Sequence, residues 1–296
     1  MSLTVPHSSA AHAPNDLNVT SLLRRFSYLT GMIRRIALFL VALLLPAALH
    51  AQDVDNVVTV DLVPGWRTAD GAHMAGLRIS LAPRWKTYWR APGSAGLPPE
   101  LDLSGSENIK DATLHFPSPE LLEVSGMESF GYHGSVLIPI ELAIAEADQP
   151  ARAKGQIEIG VCDTVCLPFA TEFDISLPPV GRRDPAIVSA LLDMPQDGIA
   201  AGLGPVTCRF RPDGNGLQIE AELPISTSLS PRAAVIEFAS KDIWVSNTRS
   251  EIRGTTLVNT ADAFPIGTET LAIDRASVRL TLLTDDAVFD FQGCES

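Results

Sequence analysis

Basic side chains are scarce in this sequence: 22 Lys and Arg stand against 35 Asp and Glu, a formal charge of −13 over 296 residues. No basic stripe exists to neutralise phosphates, which excludes nucleic acid as a partner. Long apolar runs are scarce as well. The one candidate, Ile36 to Leu45, is about half of the roughly 20 residues a bilayer-spanning helix needs, and no such run follows Ala51. Glycine-rich phosphate loops, a nucleophile elbow and paired-histidine zinc motifs are missing, and "GSAG" and "DGNG" read only as turns. Cysteine is rare too, with four in the whole chain. A chain of this length builds a core without needing disulfides merely to fold, so each cysteine calls for its own explanation.

The short apolar run has a recognisable setting. In "MIRRIALFLVALLLPAALHA" (Met32 to Ala51) two arginines precede it, Pro46 breaks it and small residues follow. That is the layout of a secretory signal peptide over 32–51. The polar segment 1–31 is then expected to be a gene-model extension, with Met32 as the biological start. Without the first 51 residues, which hold four Arg and one Asp, the counts fall to 18 basic and 34 acidic residues, a balance of −16. The expected product is exported and has no stable membrane insertion after signal cleavage. All four cysteines lie in it and meet an oxidising compartment.

From Asp53 onward the pattern is short alternating runs separated by Gly, Pro, Ser and Asp, as in "NVVTVDLVP", "AGLRISLAP", "GQIEIGVC" and "TEFDISLP". This predicts an all-β chain of antiparallel sandwiches. In "SVLIPIELAIA" Pro139 is expected at an edge or a bulge. A first sandwich is expected over 53–180 and a linker over 181–204. Within the linker, Asp184 caps a short helix that has Pro185 at its first position. A second sandwich is expected over 205–296, opening with a hairpin at "PDGNG". Both sandwiches are expected to be immunoglobulin-like.

Cys208 lies in the first strand of the second block and Cys294 near its end. A structural disulfide between them is expected, although four cysteines allow three connectivities. Closing so long a loop stabilises by roughly 4–5 kcal/mol in the chain-entropy model. Cys162 and Cys166 are then left with each other, separated by Asp-Thr-Val. Four residues of straight strand span about 13 Å, beyond the roughly 7 Å limit for a bridged Cα pair. A hairpin with a three-residue loop would set them opposite each other. So short a loop constrains the unfolded chain little, and an exposed bridge suits redox exchange better than stapling. Neither Lys nor Arg adjoins the pair in sequence, while Asp163 and Glu158 disfavour a thiolate. A Cu(I) or zinc clip is the alternative use of the same thiols, with Met127 and His133 as further Cu(I) ligands. An inert interaction module is the third reading.

Three segments in order, "WKTYWRAPGSAGLPPELDLSGSENI", "FGYHGSVLIPIEL" and "VCDTVCLP", resemble the N-terminal periplasmic region of DsbD-type disulfide reductases. The closer likeness is to the ScsB branch, which is tied to suppression of copper sensitivity and in which three residues between the cysteines are expected. The resemblance implies an immunoglobulin-like sandwich whose cysteine pair, matched here by Cys162 and Cys166, receives electrons and passes them to thioredoxin-fold partners in the periplasm. No cofactor is implied. A cap loop with aromatics shields the pair in that family; "SFGYHG" matches it, with Phe130 and Tyr132 as the shields. The family's membrane and thioredoxin-like domains have no counterpart in this sequence, so a separate membrane electron-transfer protein is the expected donor.

Overall fold

Strict alternation of apolar and polar side chains places one face of each strand inward and the other outward. In this computed structural model, residues 56–94, 96–124, 126–226, 229–267 and 273–296 are described. The expected signal peptide and the segment before it lie outside the described residues. Among the described residues no helix is long and apolar enough to cross a membrane.

Ten strands come first: β1 (Val58–Arg67), β2 (His73–Leu81), β3 (Lys86–Tyr88), β4 (Glu100–Asp102), β5 (Ile109–Leu114), β6 (Glu120–Val124), β7 (Met127–His133), β8 (Ser135–Ile144), β9 (Ala151–Cys162) and β10 (Cys166–Leu177). They form two antiparallel sheets, in the orders β1-β2-β8-β5 and β10-β9-β3-β7-β6, with β4 also paired to β9. Leu77, Ile79, Ile138, Ile140 and Leu142 of one sheet and Ile157, Ile159 and Val161 of the other are almost fully buried in a shared core. Burying each such side chain contributes roughly 1.5–3 kcal/mol. Pro139 is not at an edge: it lies inside β8, opposite Gly76 of β2 and just past the end of β5, where its carbonyl accepts the His115 N–H. The missing N–H is tolerated because the β5 ladder stops one residue earlier, at Ile140.

The linker forms α1 (Pro185–Leu192), and Asp184 Oδ1 accepts from the N–H groups of Ala186 and Ile187. Ile187 is fully buried against Trp66 and Met74, which fixes the helix on the first sandwich, while Leu192 faces solvent.

The second sandwich uses β11 (Gln196–Asp197), β12 (Thr207–Asp213), β13 (Gly216–Pro224), β14 (Pro231–Phe238), β15 (Ile243–Val245), β16 (Arg249–Arg253), β17 (Thr256–Pro265), β18 (Val278–Thr284) and β19 (Val288–Gln292). One sheet runs β11-β19-β18-β14 and the other β12-β13-β17-β15, with β16 also on β17. The β12–β13 turn falls at Gly214-Asn215, within the expected "PDGNG". Cys208 and Cys294 are joined by a disulfide, with Cα atoms 5.7 Å apart. Backbone bonds from Cys208 N–H to Glu295 O and from Glu295 N–H to Val206 O run beside it.

One cation links the two sandwiches. Arg90, just past β3, lies over the Trp89 ring at 3.8 Å. Its guanidinium donates to both Glu237 oxygens (3.1 and 2.9 Å), to Thr281 Oγ1 (3.1 Å) and to Asp290 (3.2 Å). Burial pushes the Glu237 carboxyl above its ordinary range, and Arg90 works against that push.

Candidate redox site

The site starts from the parity of β9. Its odd-numbered residues Ile157, Ile159 and Val161 point into the core, so Gly160 and Cys162 point outward. Both are nonetheless buried, and Cys162 is 0% exposed. The outer face of the sheet therefore carries a cover at this place.

β9 and β10 form a hairpin whose three-residue turn is Asp163-Thr164-Val165, with Cys162 and Cys166 in direct register. Their Cα atoms are 4.1 Å apart and their sulfurs are bonded. The two sulfurs differ in setting: Cys162 is enclosed, whereas Cys166 is exposed at the start of the edge strand β10.

Tyr88 of β3 supplies the centre of the cover. Its hydroxyl donates toward Cys162 Sγ at 2.9 Å, with Cys166 Sγ at 3.3 Å. Burial raises the phenol's pKa, so the hydroxyl keeps its proton at neutral pH and remains a donor. The ring lies where a side chain on β9 would otherwise stand, since a Cβ on Gly160 would come within 2.8 Å of it. Glycine is required there by close approach.

Leu122 of β6 joins Tyr88 and Cys162 in one buried cluster. The β6–β7 hairpin is tied to this spot, because Lys86 Nζ donates to Glu123 O at 2.5 Å and Lys86 is the register partner of Cys162. From the other side comes the loop after β3, where a Cβ on Gly96 would fall 2.9 Å from the Tyr88 ring and Leu97 packs beside Gly160. Leu97, Met127 and Val165 remain exposed apolar side chains in the covering loop, the hairpin turn and the cysteine turn.

Phe130 and Tyr132 do not cover the sulfurs. They lie on the opposite face of β7, inside the core between the sheets, and the Tyr132 hydroxyl donates to Pro117 O at 2.8 Å. The reason is again parity: Tyr132 pairs with the inward Thr87, while the outward Tyr88 faces Gly131. "KTY" preceding a loop, together with glycine two residues before the first cysteine, is the sequence signal that points to Tyr88.

Two cations absent from the local sequence are brought in by β3 and the turn before it. Arg84 pairs with Asp163 at 2.5 Å, so the acidic residue of the cysteine turn does not stand alone. Arg84 holds this position with φ of 74°, a left-handed conformation that is uncommon for a side-chain-bearing residue. Lys86 stands on the outward face next to Cys162. The histidines have other partners: His133 bonds Glu120, His115 bonds Glu141, and His73 bonds Pro64 O. Among the described residues no group of three or more His, Cys, Asp or Glu is arranged to hold a metal ion.

Chemically, the arrangement offers one sulfur to an incoming thiol and keeps the other under a hydroxyl donor. Attack in line on Cys166 Sγ expels Cys162 as a thiolate, and Tyr88 is placed to stabilise that charge.

Residues 55–178 match the family "thiol:disulfide interchange protein DsbD, N-terminal". The fold is similar to the crystal structure of the N-terminal periplasmic domain of ScsB from Proteus mirabilis, with a TM-score of 0.59 and 22% identity over 81% of this chain and 94% of that one. No curated protein matches the chain. With its cysteine hairpin near the end of the matched segment, the stretch 55–178 is similar to the N-terminal domain of DsbD-type proteins.

Proposed function

We propose that this is a periplasmic thiol–disulfide exchange protein that passes reducing equivalents through Cys162 and Cys166 to thioredoxin-fold partners. In this reading residues 53–180 are the redox domain, 181–204 the linker, whose β11 joins a sheet of the second sandwich, and 205–296 a second, supporting domain. A separate membrane protein supplies the electrons. The observation that carries the reading is the unequal pair: an exposed Cys166 bonded to an enclosed Cys162 that touches a tyrosine hydroxyl. The family match of residues 55–178 and the periplasmic origin of the similar ScsB domain support it.

In the reduced protein the Cys166 thiolate attacks one sulfur of the partner's disulfide. A mixed disulfide forms, and the partner's other sulfur leaves as a thiolate and takes a proton. Cys162, losing its proton, then attacks Cys166 Sγ. The Cys162–Cys166 bond forms and the partner departs as a dithiol, so two electrons and two protons have moved. Tyr88 holds the buried Cys162 sulfur during its charged stage, and Leu122 keeps water and small thiols from it.

The test is trapping. Cys162→Ala leaves Cys166 able to attack but nothing to resolve the product, so it is expected to accumulate a covalent complex with a thioredoxin-fold protein in periplasmic extract. Cys166→Ala leaves only the enclosed sulfur and is expected to trap far less. Absence of any reductant-sensitive complex from both variants would sink the proposal.

A further inference from the structure

The second sandwich contains no part of the disulfide site, yet one of its side chains touches both segments that cover it. Asn247 follows β15. Its Oδ1 accepts the Ser94 N–H at 2.7 Å, and its Nδ2 donates to Glu128 O at 3.3 Å. Ser94 belongs to the loop that lays Gly96 and Leu97 on Tyr88 and Gly160. Glu128 is the second residue of β7, at the turn of the hairpin that brings Leu122 into the buried cluster with Tyr88 and Cys162. The two covering segments are also tied to each other, because Pro92 O accepts from Ser129 Oγ at 2.7 Å and from Phe130 N–H at 3.3 Å.

The carboxamide serves both contacts at once, its oxygen as acceptor and its nitrogen as donor. The loop is shaped for it. Gly93 adopts φ of +89°, and a Cβ there would stand 2.5 Å from Asn247 Oδ1, so the backbone closes on the amide where no side chain fits. Three residues earlier, Arg90 anchors the same loop to Glu237, Thr281 and Asp290. The loop is thus held from the second sandwich at two points before it reaches the cysteines.

We propose that Asn247 is a positioning residue of the disulfide site, clasping the covering loop and the β6–β7 hairpin together so that Cys162 stays enclosed while Cys166 stays open. The second sandwich then sets which sulfur reacts. This rests on the exchange reading above, and it assigns the second sandwich a part in selectivity.

The experiment measures one sulfur at a time in the full chain, with the Cys208–Cys294 bond left intact. Cys166→Ser leaves Cys162 as the free thiol, and Cys162→Ser leaves Cys166. Iodoacetamide alkylation of each is followed by mass spectrometry, with and without Asn247→Ala. With two hydrogen bonds lost at about 1 kcal/mol each, alkylation of Cys162 is expected to rise about thirtyfold, and that of Cys166 by less than about twofold. Asn247→Asp keeps the acceptor for Ser94 and loses the donor to Glu128, so it is expected to fall between, and it decides alone if Asn247→Ala does not fold. A Cys162 rate unchanged in folded protein overturns the proposal, and so does equal acceleration at both cysteines, which would mean general loosening. Because no partner is present, a negative result here with trapping intact removes only the role of Asn247. Failed trapping with the accessibility change intact removes only the exchange reading.

Discussion

The two disulfides of this chain differ in span and in exposure. Cys162 and Cys166 are four positions apart, in register across a hairpin that the strands would form anyway. Cys208 and Cys294 are 86 positions apart and join the first long strand of the second sandwich to the last residues of the chain. The second bond removes many unfolded conformations, and backbone hydrogen bonds run beside it. The first removes few, and one of its cysteines is exposed to solvent. Loop length and exposure together separate a bond that holds the fold from a bond that is free to open.

The sharpest test of that contrast is removal. Replacing Cys208 and Cys294 together with alanine is expected to lower stability by about 4–5 kcal/mol, while the same change at Cys162 and Cys166 costs about 2 kcal/mol in the same chain-entropy account. Urea denaturation of the two double variants compares them directly; equal losses would erase the distinction. Arg90→Ala tests whether the two halves stand independently. It leaves the Glu237 and Asp290 carboxylates without their shared cation and is expected to cost about 3 kcal/mol at neutral pH. The pH dependence has a definite sign. A carboxyl whose pKa is raised by folding destabilises the fold when ionised, and the penalty is relieved as pH falls through that raised value toward the unfolded one. Burial raises the Glu237 pKa and Arg90 lowers it, so removing Arg90 raises it further. The cost of Arg90→Ala should therefore shrink between neutral and mildly acidic pH, as followed by denaturation at each.

Smaller effects sharpen the redox side. Tyr88→Phe removes the hydroxyl beside both sulfurs and keeps the ring. The loss of one hydrogen bond, about 1 kcal/mol, is expected to raise the Cys162 thiol pKa by somewhat under about one unit and to slow exchange severalfold. Thiolate absorbance in the Cys166→Ser background reads this. Arg84→Ala breaks a pair in which the arginine is exposed and Asp163 half-buried, and should change stability by about 1 kcal/mol. Its visible effect should be a slower reaction at Cys166, whose turn then carries an unpaired carboxylate.

Much of this was legible from alternation and turn chemistry. The β9–β10 hairpin, the "PDGNG" turn and the Asp184 cap follow from local residue types, and local residue types decide such features. The cover was less legible because it is assembled across strands. Phe130 and Tyr132 stand in the stretch that resembles a cap, but whether they face the sulfurs or the core depends on strand register, and a shift of one residue reverses the answer. Tyr88 was hidden for the same reason: it is 74 positions from Cys162, and only the β3–β9 pairing brings them together. Arg84 and Asn247 act through the folded chain alone.

Pro168, two residues beyond Cys166, bears on how long any partner stays. It sits on the edge strand, opposite Gly160, and withholds the N–H that strand addition would use there. A visiting protein is left with the hairpin tip and the few apolar side chains around it. Contacts of that kind bury little area, as weak electron-transfer encounters do at below about 1,200 Å². In the exchange proposed above, so small a footprint would give a short dwell time once the shared sulfur–sulfur bond is resolved and would free the tip for the next encounter.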